Sequence, residues 1–204
     1  MSEHYYSEQP QTAHDLKKHE EKLRGRTFHF WTDAGVFSKE GVDFGSRLLI
    51  DTMTVTDTDH ILDVGCGYGP IGLSAAVQAS SGWVTMVDVN ERAIGLAKRN
   101  AEENGIRNVT IMQSDLYGAI EESQKFSLIV SNPPIRAGKS VVHAVFEGAA
   151  PRLKPGGTLW IVIQKKQGAP SAVTKLESLF EEVEIAARDR GYWIIKASQP
   201  IVMA

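Results

Sequence analysis

From residue 60 onward, short apolar runs alternate with helical patterns, and this rhythm restricts the possible folds more than any other feature of the chain. Strand-like runs rich in Val, Ile, Leu and Met fall at residues 60–64, 83–88, 109–113, 126–131 and 158–163. Helical patterns occupy 70–79, 91–103, 141–153 and 171–180. Local signals agree with them. Pro70 suits a first helical position, Asn90 suits an N-cap before Glu91, and Asn104-Gly105 suits a C-terminal stop. The alternation predicts an α/β fold, a doubly wound and mostly parallel sheet of seven strands with helices on both faces. At the end the rhythm breaks. Residues 184–188 and 192–197 are separated only by Asp189-Arg190-Gly191, which leaves no room for a helix and predicts an antiparallel hairpin.

Upstream, residues 27–31 read as an aromatic-rich strand, 35–38 as a turn and 43–53 as a helix. Residues 12–23 are expected to form a short helix, with Thr12 as N-cap and Asp15 completing a weak capping box. The expected division is an N-terminal extension over 1–26 and the main domain over 27–204. In the extension Lys17, Lys18, Lys22, Arg24 and Arg26 outnumber Asp15, Glu20 and Glu21. They form either a solvated face or a contact for a phosphate backbone.

With 204 residues the chain can bury a core without covalent staples. Lys and Arg total 22 against 25 Asp and Glu, a net charge of −3. A polycation is excluded, so contact with nucleic acid needs a local basic patch. Cys66 is the single cysteine, which rules out an intramolecular disulfide and argues against a cysteine zinc site; no metal is expected. No apolar run approaches the roughly 18 residues of a membrane span. Residues 1–10 are polar, without a signal-peptide core, so the expectation is a soluble, cytoplasmic protein with no membrane partner.

Four motifs carry chemistry. Asp63-Val64-Gly65-Cys66-Gly67-Tyr68-Gly69-Pro70 turns the first core strand into a helix, where ligands of open α/β sheets bind. Gly65 and Gly67 let backbone approach a ligand closely. A dinucleotide fingerprint needs glycine where Pro70 stands, and Asp63 would repel a pyrophosphate but attract an ammonium. Both points disfavour a nicotinamide oxidoreductase and favour S-adenosyl-L-methionine. Asp88, followed by Val89, ends the second strand, where an acid can bond both ribose hydroxyls. Asp115, after the third strand, is positioned to accept from an adenine amino group, with Leu116 packing nearby. Asn132-Pro133-Pro134 ends the fourth strand. Its prolines stiffen the backbone and remove donors. The Asn132 amide oxygen and the Pro133 carbonyl can together accept both hydrogens of a planar NH2 group.

In that order, these segments resemble a class I S-adenosylmethionine-dependent amino-methyltransferase over roughly residues 27–204. Gly35-Val36-Phe37-Ser38 with Asp43 and Gly45 is similar to the ribosomal small-subunit RNA guanine-N2 methyltransferase family, and Asn132 to Lys139 fits its single-domain branch. The resemblance implies methylation of a guanine exocyclic amine in 16S ribosomal RNA. It implies cofactor contacts from Asp63, Gly65, Cys66, Gly67, Gly69, Asp88, Val89, Asp115, Leu116 and Asn132. Asn132, Pro133 and Pro134 would be catalytic. Phe37, Ser38, Arg136 and Lys139 would meet the substrate, ribosomal RNA or the small subunit. Many enzymes with this motif carry an aromatic after the second proline. Here it is Ile135, which makes Phe37 the candidate to stack on the base. Longer members add an N-terminal methyltransferase-like domain, for which residues 1–26 are too short. Lys165 and Lys166 join Arg136 and Lys139 as candidate phosphate contacts. No general base is expected, His60 and His143 being structural or surface histidines and Cys66 a packing residue. Adenine or protein glutamine as methyl acceptor, or a non-catalytic RNA-binding assembly factor, are the competing readings.

Overall fold

Residues 6–202 are described by a computed structural model. The chain runs β1 (Lys17–Leu23), β2 (Arg26–Thr32), α1 (Phe44–Thr52), β3 (His60–Val64), α2 (Pro70–Gln78), β4 (Trp83–Asp88), α3 (Glu91–Glu103), β5 (Val109–Gln113), β6 (Phe126–Ser131), α4 (Lys139–Ala149), β7 (Leu153–Gln164), α5 (Ala169–Glu177), β8 (Phe180–Asp189) and β9 (Tyr192–Pro200). The main sheet has seven strands in the order β5-β4-β3-β6-β7-β9-β8. Strands β3 to β7 are parallel, while β9 and β8 close the edge antiparallel.

Side chains alternate between the two faces of the sheet, as the strand period requires. Ile61, Val84, Met86, Leu128 and Val130 face the core under α1, α2, α3 and β2. Leu62, Val64, Val87, Ile129 and Ile161 face the core under α4 and α5. The strand order reverses between β3 and β6, which pair directly, Asp63 opposite Val130. That switch point brings the glycine turn after β3 beside Asn132 after β6, at the carboxyl edge where such sheets hold ligands.

The helix expected over 12–23 is not formed. Lys17–Leu23 is a strand whose side chains alternate in exposure, and it pairs with β2. Arg24 and Gly25 join the two strands with φ of 47° and 81°, positive at both central residues, as in the tight turns that suit strand twist. Thr12 therefore caps no helix, and the Asp15 N–H donates to Asp33 Oδ1 at 2.6 Å. The expected boundary at residue 26 falls inside this hairpin. Much of the basic run is engaged within the protein. Lys17 bonds Glu40 at 3.0 Å and Lys18 bonds Glu103. Arg24 donates to the Ile50 carbonyl at 3.0 Å and Arg26 to the Asn104 carbonyl at 2.7 Å, so both guanidiniums serve helix C-termini.

Strand β2 is stitched to α3 by two side-chain amides. Asn100 pairs with the main chain of Trp31, accepting at 2.7 Å and donating at 3.0 Å. Asn104 does the same to His29, both bonds being 2.9 Å. One helical turn separates the two amides, which matches the two-residue repeat of the strand. Downstream, the helix expected to reach residue 153 stops at Ala149. Pro151 has no N–H to continue it, and a short 3-10 turn leads into β7, which starts at Leu153 rather than 158.

Candidate active site

A cleft opens over the carboxyl ends of β3, β4 and β6, with about 830 Å³ of empty space including its open mouth. Its floor is the glycine turn. Gly65 and Cys66 both donate backbone N–H to the Val87 carbonyl at 2.9 Å, which pins the turn to β4. Gly65 and Gly67 have φ of 76° and 56°, and a Cβ at Gly67 would meet nothing within 4 Å. Bare backbone thus borders open space, a cradle for a ligand that must come close.

Asp88 closes the turn. Its Oδ2 accepts the Gly67 N–H at 2.8 Å and its Oδ1 accepts the Asn90 N–H at 2.9 Å. The carboxylate also lines the cleft, where its remaining acceptor capacity suits a ligand hydroxyl. Burial raises the pKa of this carboxyl, opposed by hydrogen bonds from the Asn90, Gly67 and Val89 backbone. Asp63 lies beneath the floor rather than on the wall, fully buried against α2. Neither of its oxygens has a hydrogen-bond partner among the described residues. Burial pushes its pKa up to about 7, with the Gly72 amide close by opposing the rise and the Asp88 charge adding to it.

On the opposite wall stand Asn132, Pro133 and Pro134. The Asn132 Nδ2 donates to Ser46 Oγ at 3.0 Å. Ser46 is buried in the first turn of α1, its N–H accepted by the N-cap Asp43 at 3.1 Å. This bond engages one hydrogen of the Asn132 amide nitrogen, fixes the plane of the amide and leaves Oδ1 as an acceptor. Phe37, on the loop before α1, also lines the cleft and is 39% exposed, so its ring is accessible to a planar partner. Asn90 Nδ2 donates to the Gly35 carbonyl at 2.9 Å and Tyr68 OH to the Ser38 carbonyl at 3.3 Å, which hold this loop over the glycine turn.

The cleft gathers Phe37, Ser38, Gly65, Cys66, Gly67, Asp88, Val89, Leu116, Asn132, Pro133 and Pro134 from the sequence-derived set. Gly69 is the N-cap of α2, with φ of 108°, and is not on the wall. Asp115 lines an adjoining hollow with Leu116 and Val89. Arg136 is exposed, and Lys139 borders a separate hollow with His143. His60 is exposed and neither histidine reaches the cleft. Sequence reasoning assigned no part in the site to Tyr6, Ser46, Tyr68 or Asn90, all of which line it. The N-cap pattern revealed Asn90, but nothing local announces Ser46, which acts across 86 residues. No cluster of His, Cys, Asp and Glu able to hold a metal occurs among the described residues. Among them, too, no helix is long and apolar enough to cross a membrane.

A glycine cradle at the switch point, a carboxylate at the end of the next strand and an amide-proline corner facing both define the class of S-adenosylmethionine-dependent methyltransferases. The chain belongs to the methyltransferase small domain family, which it matches over residues 27–196. It is 56% identical to the protein YbxB of Bacillus subtilis over 98% of this chain and all of that one. It is 31% identical to ribosomal RNA small subunit methyltransferase C of Actinobacillus pleuropneumoniae over 90% of this chain and 56% of the relative. The T. thermophilus 16S ribosomal RNA N2-guanine methyltransferase RsmC, solved with S-adenosylmethionine and guanosine, superimposes with a TM-score of 0.83 and 25% identity, over 93% of this chain and 52% of that one. The chain thus spans about half the length of the small subunit methyltransferase C relatives it matches.

Proposed function

We propose that the protein transfers a methyl group to the exocyclic N2 amine of a guanine in small-subunit ribosomal RNA. One observation carries the reading: the Asn132 amide is fixed by Ser46 so that its oxygen remains the available acceptor, next to a Pro133 carbonyl that accepts no bond from any described residue. Two acceptors at one corner match the two hydrogens of an aromatic amine. The similarity to the guanine-N2 enzymes supports guanine as the acceptor.

S-adenosylmethionine supplies a methyl carbon already activated by its positive sulfur. The residues of the chain supply alignment. The glycine turn and Asp88 hold the adenosine side. Asn132 and Pro133 grip the amine hydrogens and draw the nitrogen lone pair out of conjugation with the ring. Phe37 stacks on the base, which must leave its helix to reach the corner. The amine nitrogen bonds to the methyl carbon as the carbon–sulfur bond breaks and the sulfur keeps the electron pair. The amine proton then leaves to water, because an alkylated aniline-like nitrogen is strongly acidic. Orientation of this kind contributes about 7–11 kcal/mol to well-aligned reactions. Arg136, Lys139, Lys165 and Lys166 follow the carboxyl ends of β6 and β7 and are exposed, and they contact the RNA backbone in this reading.

The test incubates the protein with methyl-labelled S-adenosylmethionine and, separately, naked small-subunit RNA, assembled subunits and total protein, followed by digestion to nucleosides and amino acids. The expected product is N2-methylguanosine. Label in adenosine or glutamine would move the acceptor, and no transfer to any substrate would remove the enzyme reading.

A further inference from the structure

The segment ahead of β1 lies outside the part of the chain that matches the family, yet it reaches the cleft. It is tied down at several points. The Glu91 N–H donates to the Glu8 carbonyl at 2.9 Å. Arg92 Nη2 donates to the carbonyls of Pro10 at 3.2 Å and Thr12 at 2.9 Å, while its Nη1 holds the Ala34 carbonyl at 2.6 Å. His14 Nδ1 and the Asp15 N–H meet the buried carboxylate of Asp33 at 2.5 and 2.6 Å. Pro10 is buried against Gly35, where a Cβ would come within 2.7 Å of the proline. These bonds fix the segment as a strap across the N-terminus of α3.

The strap delivers Tyr6 to the rim. Its side chain lines both the main cleft and the adjoining hollow, together with Val89 and Leu116, which line both as well. The phenol hydroxyl lies 3.5 Å from Asp115 Oδ1 and donates to it. Burial, then the Asp115 charge and hydrogen bond, push the phenol pKa up to about 12, so it stays a donor at any physiological pH. The ribose carboxylate, Asp88, precedes Val89 directly, so this end of the cleft is where an adenine attached to that ribose would lie.

We propose that Tyr6 is a cofactor-binding residue: its ring covers the adenine of S-adenosylmethionine against Val89 and Leu116, and Arg92 positions it by holding the strap. The inference rests on the cofactor reading and not on the identity of the methyl acceptor. An aromatic ring against a purine face is worth about tenfold in affinity. The contact is one of shape and stacking, so the hydroxyl contributes less than the ring.

Calorimetric titration of the full chain with S-adenosylhomocysteine tests this, without any need for turnover. The expected result is that Tyr6→Ala weakens binding about tenfold while Tyr6→Phe stays within about threefold of wild type. Arg92→Ala, remote from the ligand, is expected to weaken binding comparably. The double variant should be no weaker than the poorer single one, because both changes remove the same contact. Affinity of Tyr6→Ala within twofold of wild type overturns the proposal, as do losses that add in the double variant. Failure of the wild-type chain to bind S-adenosylhomocysteine is a different outcome, which defeats the cofactor reading itself.

Discussion

The floor of the cleft and its ribose end come from one stretch of chain, residues 64–90, and their closing bonds are main-chain donations to the Val87 carbonyl and to the Asp88 carboxylate. The acceptor wall brings Asn132 together with Phe37 and Ser46 from a segment more than 80 residues earlier, and its key bond joins two side chains. A wall of local backbone is preorganised as soon as β3 and β4 pair. A wall of distant side chains exists only once the whole sheet and α1 are in place. Binding of the cofactor and readiness for transfer are therefore separable properties of this fold.

Asn132→Ala breaks the two apart most sharply. It is expected to cut methyl transfer by ~10²-fold or more, the scale of losing one preorganised polar contact to the reacting group. Affinity for S-adenosylhomocysteine should change little. Single-turnover rates beside calorimetry give the answer, and near wild-type transfer would falsify the role of this amide. Asp88→Asn acts on the other wall. Replacing a charged acceptor costs about 1.5–3 kcal/mol, so cofactor affinity should fall by ten- to a hundredfold, and an unchanged dissociation constant would refute the ribose contact. Ser46→Ala tests how far the acceptor wall depends on one remote hydroxyl. Loss of a bond worth ~1 kcal/mol predicts a fivefold drop in kcat at constant KM, and this drop should vanish when Asn132 is already alanine.

The last expected effect lies beneath the floor and is read in stability rather than in catalysis. The carboxyl of Asp63 has a folded pKa of about 7. The unfolded chain releases that proton near pH 4. Between those values the folded state holds a proton that the unfolded state has lost, so stability contributed by this group is full below about pH 4 and is lost as pH rises through about 7. Asp63→Asn should flatten that part of the stability curve. Thermal unfolding across the range compares the slopes, and identical slopes for the two proteins would reject the buried-acid account.

What the sequence made legible follows the same division. The strands β3, β4, β5 and β6 and the glycine turn declare themselves through contiguous apolar runs and punctuating glycines. The closing hairpin is visible because only Asp189-Arg190-Gly191 separates two strand-like runs, which leaves no room for a helix. β1 has no apolar alternation. Its residues before Leu23 are all Lys, His or Glu, and charges spaced this way resemble a helix face, so only the Arg24-Gly25 turn and pairing with Phe28 and Phe30 of β2 settle it as a strand. Arg190-Gly191 makes the same turn, with φ of 47° and 81°, at the other end of the chain. Within the site, Asp88 and Asn132 were readable because each ends a strand. Ser46 and Tyr6 were not, since their roles arise from contacts that no local pattern encodes.

Cys66 sits in the cleft floor, where a nucleophilic sulfur would be exposed to a potent alkylating agent. Burial, with the Asp88 and Asp63 charges adding to it, pushes the thiol pKa well above its ordinary value, and the Sγ hydrogen is directed to the Gly67 carbonyl at 3.4 Å. The thiolate, not the thiol, attacks carbon. Burial first, with the neighbouring acids adding to it, thus keeps this sulfur in its unreactive thiol form, and one consequence is a catalyst that is not consumed by its own reagent.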